Sequence, residues 1–291
     1  MSSAAVRTAK DFASLVKISH SVFALPFAML ALLVATRGAP SRRLLVLCIG
    51  AVVSARTAAM AYNRWLDRSI DAQNPRTAAR EIPRGAVSAA SALGFALGSG
   101  AVFLVCCVLL GPVCGYLGLP VLAWLLGYSH TKRFTALCHL WLGIALGIAP
   151  VATWVAAYGA WVQVGTPLWL GAGVAAWVAG FDVMYACQDE GFDRAHGLRS
   201  IPAWLGARRA LWVSRSLHAL AIVLFGAFGR AAALGPGFFS GVAAAGLLLV
   251  WQHWLLRRGD LTRIQTAFFT ANGILSVVML AAGCLDLYLF V

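Results

Sequence analysis

The sequence predicts an all-α membrane protein with nine transmembrane helices and a cytoplasmic N-terminus. Three observations carry this reading. Of 291 residues, 61% are hydrophobic and only 11% charged, whereas a soluble domain has about 25% charged residues. Apolar runs near the length of a bilayer span recur along the whole chain. The basic residues gather on one set of the loops between those runs.

The runs are 21–37, 44–62, 87–110, 112–128, 138–157, 167–187, 210–229, 237–256 and 266–288. The first follows Lys10, Asp11 and Lys17, and no small-residue cleavage site comes after it, so it reads as a span and not a signal peptide. Pro26, Pro120 and Pro150 fall inside the first, fourth and fifth runs, where neighbouring helices can satisfy the freed backbone. The 29 glycines allow close helix packing. Hydropathy is continuous, with no low-complexity region, so residues 1–291 read as a single membrane domain.

A net charge of +13 raises the question of nucleic acid, but its distribution follows topology instead. With the N-terminus inside, 18 of 23 basic residues lie on the cytoplasmic side, and no nucleic-acid partner is expected. They include Arg64, Arg68, Arg76, Arg80 and Arg84 after the second run, and Lys132 and Arg133 after the fourth. The seven cysteines lie in or beside apolar runs without a CxxC spacing, which favours buried packing.

Seven of the ten acidic residues sit in two short segments, 63–81 and 182–193. Each segment holds a pair four residues apart, Asp67 with Asp71 and Asp189 with Asp193. On a helix that spacing puts both carboxylates on one face, with Cβ atoms roughly 5–6 Å apart. Two such charges repel by roughly 3 kcal/mol at an effective dielectric of 20, and a divalent cation reverses the sign of that term. Both segments follow an even-numbered run and open a cytoplasmic loop. Aligned, Asn63, Asp67 and Asp71 correspond to Tyr185, Asp189 and Asp193. A pseudo-repeat of two four-helix halves plus one helix follows, and parallel membrane repeats place a shared site at their interface.

Magnesium is usually held by one or two carboxylates plus substrate phosphates. Two facing acidic pairs could hold metal ions that bridge a diphosphate. The bland alternative is that these aspartates pair with loop arginines such as Arg64, Arg68, Arg76 and Arg194. For two matched pairs beside a membrane the functional reading is preferred. Arg76, Arg80 and Arg84, with Tyr128, His130, Lys132 and Arg133, supply cations and donors suited to phosphate oxygens. Acids for metal and bases for phosphate on one membrane face argue together for a diphosphate substrate.

These motifs resemble the UbiA superfamily of intramembrane prenyltransferases. The resemblance rests on NxxxDxxxD at 63–71, YxxQDxxxD at 185–193, ISHSVFALPFA at 18–28, NPRTAAREIPRG at 74–85, YxxxKR at 128–133 and AFFTANG at 267–273. The segment CQDEGFDRAHGLRSIPAWLG at 187–206 is especially similar to the 4-hydroxybenzoate polyprenyltransferase branch and its menaquinone-pathway relatives. Arg199 departs from the pattern, and Glu81 matches only part of the superfamily.

The resemblance implies Mg²⁺-dependent transfer of a polyprenyl group from a polyprenyl diphosphate to an aromatic carboxylic acid, in respiratory quinone synthesis. The implied acceptor is 4-hydroxybenzoate, with 1,4-dihydroxy-6-naphthoate as the alternative. Asn63, Asp67, Asp71, Asp189 and Asp193 are the implied metal residues. Arg76, Arg80, Tyr128, Lys132, Arg133 and Tyr185 are implied for the diphosphate, with Lys132 and Arg133 also among the catalytic set. Asp182, two helical turns before Asp189, would orient or deprotonate the acceptor phenol. Lys17 and His20 are candidates for the acceptor's carboxylate. The implied location is the bacterial inner membrane, with the site on its cytoplasmic side. A membrane transporter is the competing class, although its acids usually lie near the midplane on scattered helices.

Overall fold

The structure is a computed structural model describing residues 11–16, 23–256, 264 and 270–289, and among these there is no strand. The helices are α1 Leu25–Ala35, α2 Arg42–Leu66, α3 Arg68–Gln73, α4 Ala89–Leu110, α5 Pro112–Thr131, α6 Cys138–Tyr158, α7 Gly165–Ala186, α8 Glu190–Ala195, α9 Ile201–Leu205, α10 Ala207–Ala231, α11 Pro236–Leu255 and α12 Asn272–Leu289. A 3₁₀ turn, Cys187–Asp189, joins α7 to α8. Among the described residues, eight helices are long and apolar enough to cross a membrane: α2, α4, α5, α6, α7 continuing through α8, α10, α11 and α12. They match the second to ninth predicted runs. The first run contains the shorter apolar helix α1. The chain is an integral, multi-pass membrane protein.

Local chemistry sets several boundaries. The Ser88 hydroxyl accepts the Ser91 N–H and caps α4. Gly111, at φ 133°, makes the turn between α4 and α5 that a side chain would resist. Pro236 opens α11, where a missing N–H costs nothing. Pro120 and Pro150 lie within α5 and α6.

The described residues form two compact units. The first holds 11–16 and Leu47–His130, and so most of α2 with α3, α4 and α5. Its core joins Leu15, Val16, Ala61, Val87, Ala92 and Ala96, with Phe12 edge-on to Phe95 at 5.0 Å. A second cluster packs Ala51, Ala55, Phe103, Cys106 and Cys107. The cysteines are free, and five of the seven are buried as expected.

The second unit holds 23–46 and the residues from Thr131 onward. Helix α7 packs on α6 and α10, α1 on α6 and α12, and α11 on α10 and α12. Phe27, Trp177, Phe181, Phe225, Phe228 and Phe238 dominate the core. Helices α6 and α7 approach so closely that a Cβ at Gly143 would run into the Ala175 carbonyl, and one at Gly147 into that of Gly171. The compact units do not coincide with the halves of the expected repeat, because α1 is buried by α6 and α12. Trp161, Trp169, Trp251 and Trp254 are exposed, as an interfacial belt requires, whereas Trp177 is buried and donates to Asn272 Oδ1 at 2.9 Å.

Asp286 lies far in sequence from both acidic segments and has a local explanation. It is buried, and its two oxygens accept the N–H groups of Gly237 at 3.0 Å and Phe238 at 2.7 Å. A carboxylate from α12 thus satisfies the orphan donors at the start of α11.

Candidate functional site

The two acidic segments share one local construction. Each long helix stops at or just before the first aspartate of its pair, α2 at Leu66 before Asp67 and α7 at Ala186 before the 3₁₀ turn that ends on Asp189, and a six-residue helix carrying the second follows. Asp67 has φ −89° and ψ 6°, and Asp189 has φ −101° and ψ 4°. Both lie in the sparsely populated bridge region. Asp71 and Asp193 occupy the fourth residue of α3 and of α8. The equivalence expected from sequence alignment therefore extends to backbone conformation.

In the first unit, Asp67 and Asp71 are buried. The Asp71 N–H donates to the Asp67 carbonyl at 2.7 Å, so the one-turn spacing survives the break. Asn63, in the last turn of α2, donates from Nδ2 to Asp67 Oδ2 at 3.1 Å. Arg80 donates to Asp71 Oδ1 at 2.7 Å. Asp71 Oδ2 is buried with no hydrogen-bond partner. The bland expectation is met for one oxygen of Asp71, although by Arg80 and not by the arginines named for it.

The segment after α3 curls around these acids. Asn74 Oδ1 accepts the Arg76 N–H at 2.9 Å, and the Thr77 hydroxyl donates to the Asp71 carbonyl at 3.0 Å. The Arg76 residue is exposed. Glu81 is buried and accepts the Ser14 hydroxyl at 2.5 Å, which accounts for this acid. Arg64 is buried, and its electrostatic neighbours are Arg80, Asp71, Glu81 and Asp67. Its burial places a cation among three acids, which limits their mutual repulsion. Tyr128 is half-buried on α5, and two residues later His130 Nε2 bonds the Tyr62 hydroxyl at 3.0 Å.

In the second unit, Asp189 and Asp193 are half-buried. The Ser200 hydroxyl donates to Asp193 Oδ2 at 2.8 Å, and Asp189, Lys132 and His139 are electrostatic neighbours of Asp193. Lys132 and Arg133 are half-buried just past α5. The Lys132 carbonyl accepts the Arg199 N–H at 2.7 Å, and the Arg199 guanidinium donates to the Phe134 carbonyl at 2.8 Å. The residue that departs from the family pattern thus ties the Lys132 loop to the loop after α8. Tyr185 is half-buried one residue before the end of α7. Glu190 pairs with Arg194 at 3.1 Å and caps α10 by accepting the Ala207 N–H at 2.8 Å.

Asp182 meets a partner that sequence reasoning does not supply. His139 Nδ1 lies 2.8 Å from Asp182 Oδ2, across 43 residues. The only sequence signal for His139 is an ionisable residue at the start of an apolar run. Ser200 lies equally beyond that reading, whereas Arg64 is one of the arginines that the sequence offers as partners of the aspartates. Lys17 and His20 fall outside the described residues.

The acid sets suit a hard divalent cation in chemistry. All donors are oxygens, and the orphaned Asp71 Oδ2 is a buried anionic atom whose cost a cation would offset. Among the described residues no group of three His, Cys, Asp or Glu side chains could hold an ion alone.

Residues 24–274 match the UbiA prenyltransferase family. The chain is 31% identical to a 4-hydroxybenzoate octaprenyltransferase of Aromatoleum aromaticum, over 86% of this chain and 84% of that one. It is 30% identical to the enzyme of that name from Alkalilimnicola ehrlichii, over 96% and 95%. Among solved structures, the apo form of a UbiA homolog from Aeropyrum pernix superposes with a TM-score of 0.84 at 36% identity, covering 92% of this chain and 98% of that one. A UbiA homolog from Archaeoglobus fulgidus, bound to DMAPP and Mg²⁺, has the same fold at a TM-score of 0.69 and 18% identity, over 96% and 99%.

Proposed function

The chain belongs to the UbiA prenyltransferase family, and from that premise we propose that it transfers a polyprenyl group from a polyprenyl diphosphate to 4-hydroxybenzoate, with Mg²⁺ as the metal. That it is a prenyltransferase sets the transporter reading aside. The substrates are inferred from relatives near 30% identity that span most of both chains. The observation within the molecule that carries the reading is the buried, unpartnered oxygen of Asp71 beside Asp67, at a helix break repeated at Asp189. A packing role would leave no carboxylate oxygen orphaned.

Asn63, Asp67 and Asp71 would hold metal in one unit, and Asp189 and Asp193 in the other. A metal held there would supply positive charge to offset the negative charge developing on the leaving diphosphate. Arg80 orients Asp71 through Oδ1, which leaves Oδ2 for the cation. Arg76, Tyr128, Lys132, Arg133 and Tyr185 bind diphosphate oxygens, with Lys132 and Arg133 steadying the departing group. As the allylic C1–O bond breaks, the diphosphate leaves with the bonding electron pair. A carbon of the aromatic ring attacks C1 and then gives up its own hydrogen as a proton to restore aromaticity. Asp182 orients or deprotonates the phenol so that the ring carbon is electron-rich. Lys17 and His20 are proposed for the acceptor's carboxylate.

The family match runs through both compact units, which supports a single domain. Basic-residue placement supports an N-terminus inside and a site on the cytoplasmic side. The relatives named above support a bacterial inner membrane, and the apolar helix α1 beside the eight long helices supports nine spans.

The test is turnover by the full-length protein in liposomes. A polyprenyl diphosphate is supplied with 4-hydroxybenzoate and 1,4-dihydroxy-6-naphthoate in competition, and products are identified by mass. Prenylated 4-hydroxybenzoate with magnesium-dependent diphosphate release is expected. Exclusive prenylation of the naphthoate would reassign the acceptor. No diphosphate release with either acid overturns the reading.

A further inference from the structure

Asp182 is held in a way that its proposed role does not require. His139 accepts the Ile201 N–H at Nε2, at 3.3 Å. A ring nitrogen that accepts carries no proton in the neutral ring, so the hydrogen is on Nδ1 and points at Asp182 Oδ2, 2.8 Å away. The tautomer is therefore dictated by a backbone amide. The His139 side chain is 4% exposed and that of Asp182 is 20% exposed. Phe181, Val183 and Met184 around it are buried. One carboxylate oxygen is thus clamped, while the group keeps an opening through which a ligand can reach it.

The clamp does not end at Ile201. Its neighbour Ser200 donates to Asp193 Oδ2 at 2.8 Å. Before Ser200, Arg199 is tied through its N–H to the Lys132 carbonyl, and its own carbonyl faces the Cys138 thiol at 3.5 Å. Three consecutive residues therefore fasten the Lys132 loop, Asp193 and the His139–Asp182 pair to one another. A buried neutral histidine needs a partner for each ring nitrogen, and here the two partners are Asp182 and the strip that also holds Asp193.

We propose that His139 is the positioning residue for Asp182, and that the strip Arg199–Ile201 links that pair to Asp193 so that the acceptor's acid and the metal's acid are aligned as one unit. This rests on the assignment of Asp182 to the aromatic acceptor. Substitution at His139 then affects the aromatic acid more than the prenyl diphosphate.

Asparagine places its amide nitrogen where Nδ1 stands, and glutamine reaches only to the position of Nε2. His139→Asn keeps the bond to Asp182; His139→Gln keeps the reach to Ile201 and loses Asp182. In the liposome assay, His139→Leu and His139→Gln lose at least about tenfold in kcat/KM for the acid, the scale of a misplaced reacting group. Their KM for the prenyl diphosphate stays within about twofold, while His139→Asn recovers most of the loss. Equal losses in all three variants, or a loss shared by both substrates, overturn the proposal.

A second measurement does not depend on turnover. With ¹⁵N-histidine-labelled protein, the His139 Nδ1–H signal is followed as 4-hydroxybenzoate is added in the presence of magnesium and inorganic diphosphate. A shift that disappears in Asp182→Asn supports the inference even where no prenyl transfer is detected, a result that would count against the proposed reaction alone. A signal unmoved by saturating acid overturns the inference even in an active enzyme.

Discussion

Arg80 binds Asp71 through one oxygen at 2.7 Å and leaves the other buried without a partner. The arginine fixes the carboxylate's orientation with an opposite charge beside it, and the free oxygen remains available. Magnesium should therefore stabilise the folded protein through this acid. A ligand at a hundred times its Kd stabilises by about 2.7 kcal/mol. The melting temperature of detergent-solubilised protein is expected to rise with magnesium, fall back on chelation, and respond far less in Asp71→Asn. An equal rise in the variant would remove Asp71 from the metal site.

Asp67 and Asp189 stand at the two helix breaks and carry the same backbone conformation. Asp67→Ala and Asp189→Ala are each expected to abolish turnover while expression and membrane insertion survive. Near-normal activity in either one would refute its metal role, and prenyl transfer by mass is the readout.

Ser200 serves Asp193 and also caps α9 by accepting the Ala203 N–H at 3.2 Å. Ser200→Ala removes a cap worth about 1 kcal/mol. It should also weaken magnesium dependence, seen as a higher metal concentration for half-maximal rate. Ser200→Thr restores both functions through its hydroxyl. A serine-to-alanine change that lowers the melting temperature alone would confine Ser200 to structure.

Asp286 offers a contrast, because its carboxylate is spent entirely on the Gly237 and Phe238 amides. Asp286→Ala leaves those donors buried and unpaired, at a cost of about 1–3 kcal/mol each. A lower melting temperature with unchanged KM for both substrates is expected. A selective rise in either KM would give this acid a part in binding.

Much of the fold was legible from sequence because crossing a bilayer is a local demand. Each span needs some twenty apolar residues in succession, and the predicted run 138–157 lies within Cys138–Tyr158 for that reason. Proline placement and glycine turns are local as well. The four-residue spacing of Asp67 with Asp71 and Asp189 with Asp193 likewise follows from helical geometry alone, whatever packs around it. Only the interruption at the first aspartate of each pair was hidden, since an unbroken helix has the same sequence period.

The partners of the buried polar atoms were decided by tertiary structure. Arg80 and not Arg76 reaches Asp71, because the segment after α3 turns on Asn74 and Thr77. His139 finds Asp182 across 43 residues and Ile201 across 62. Periodicity says which face of a helix is apolar, but a polar atom inside that face is satisfied by whatever the neighbouring helix brings within 3 Å. That choice depends on how α6 lies against α7, which the close approach of Gly143 to Ala175 sets. By itself, then, the sequence determined the spans, the acidic pairs and the kinship with prenyltransferases. Tertiary packing alone decided which of those acids is clamped, which is capped and which keeps an oxygen free, because a hydrogen bond between distant residues is a property of their helices' contact and not of either segment.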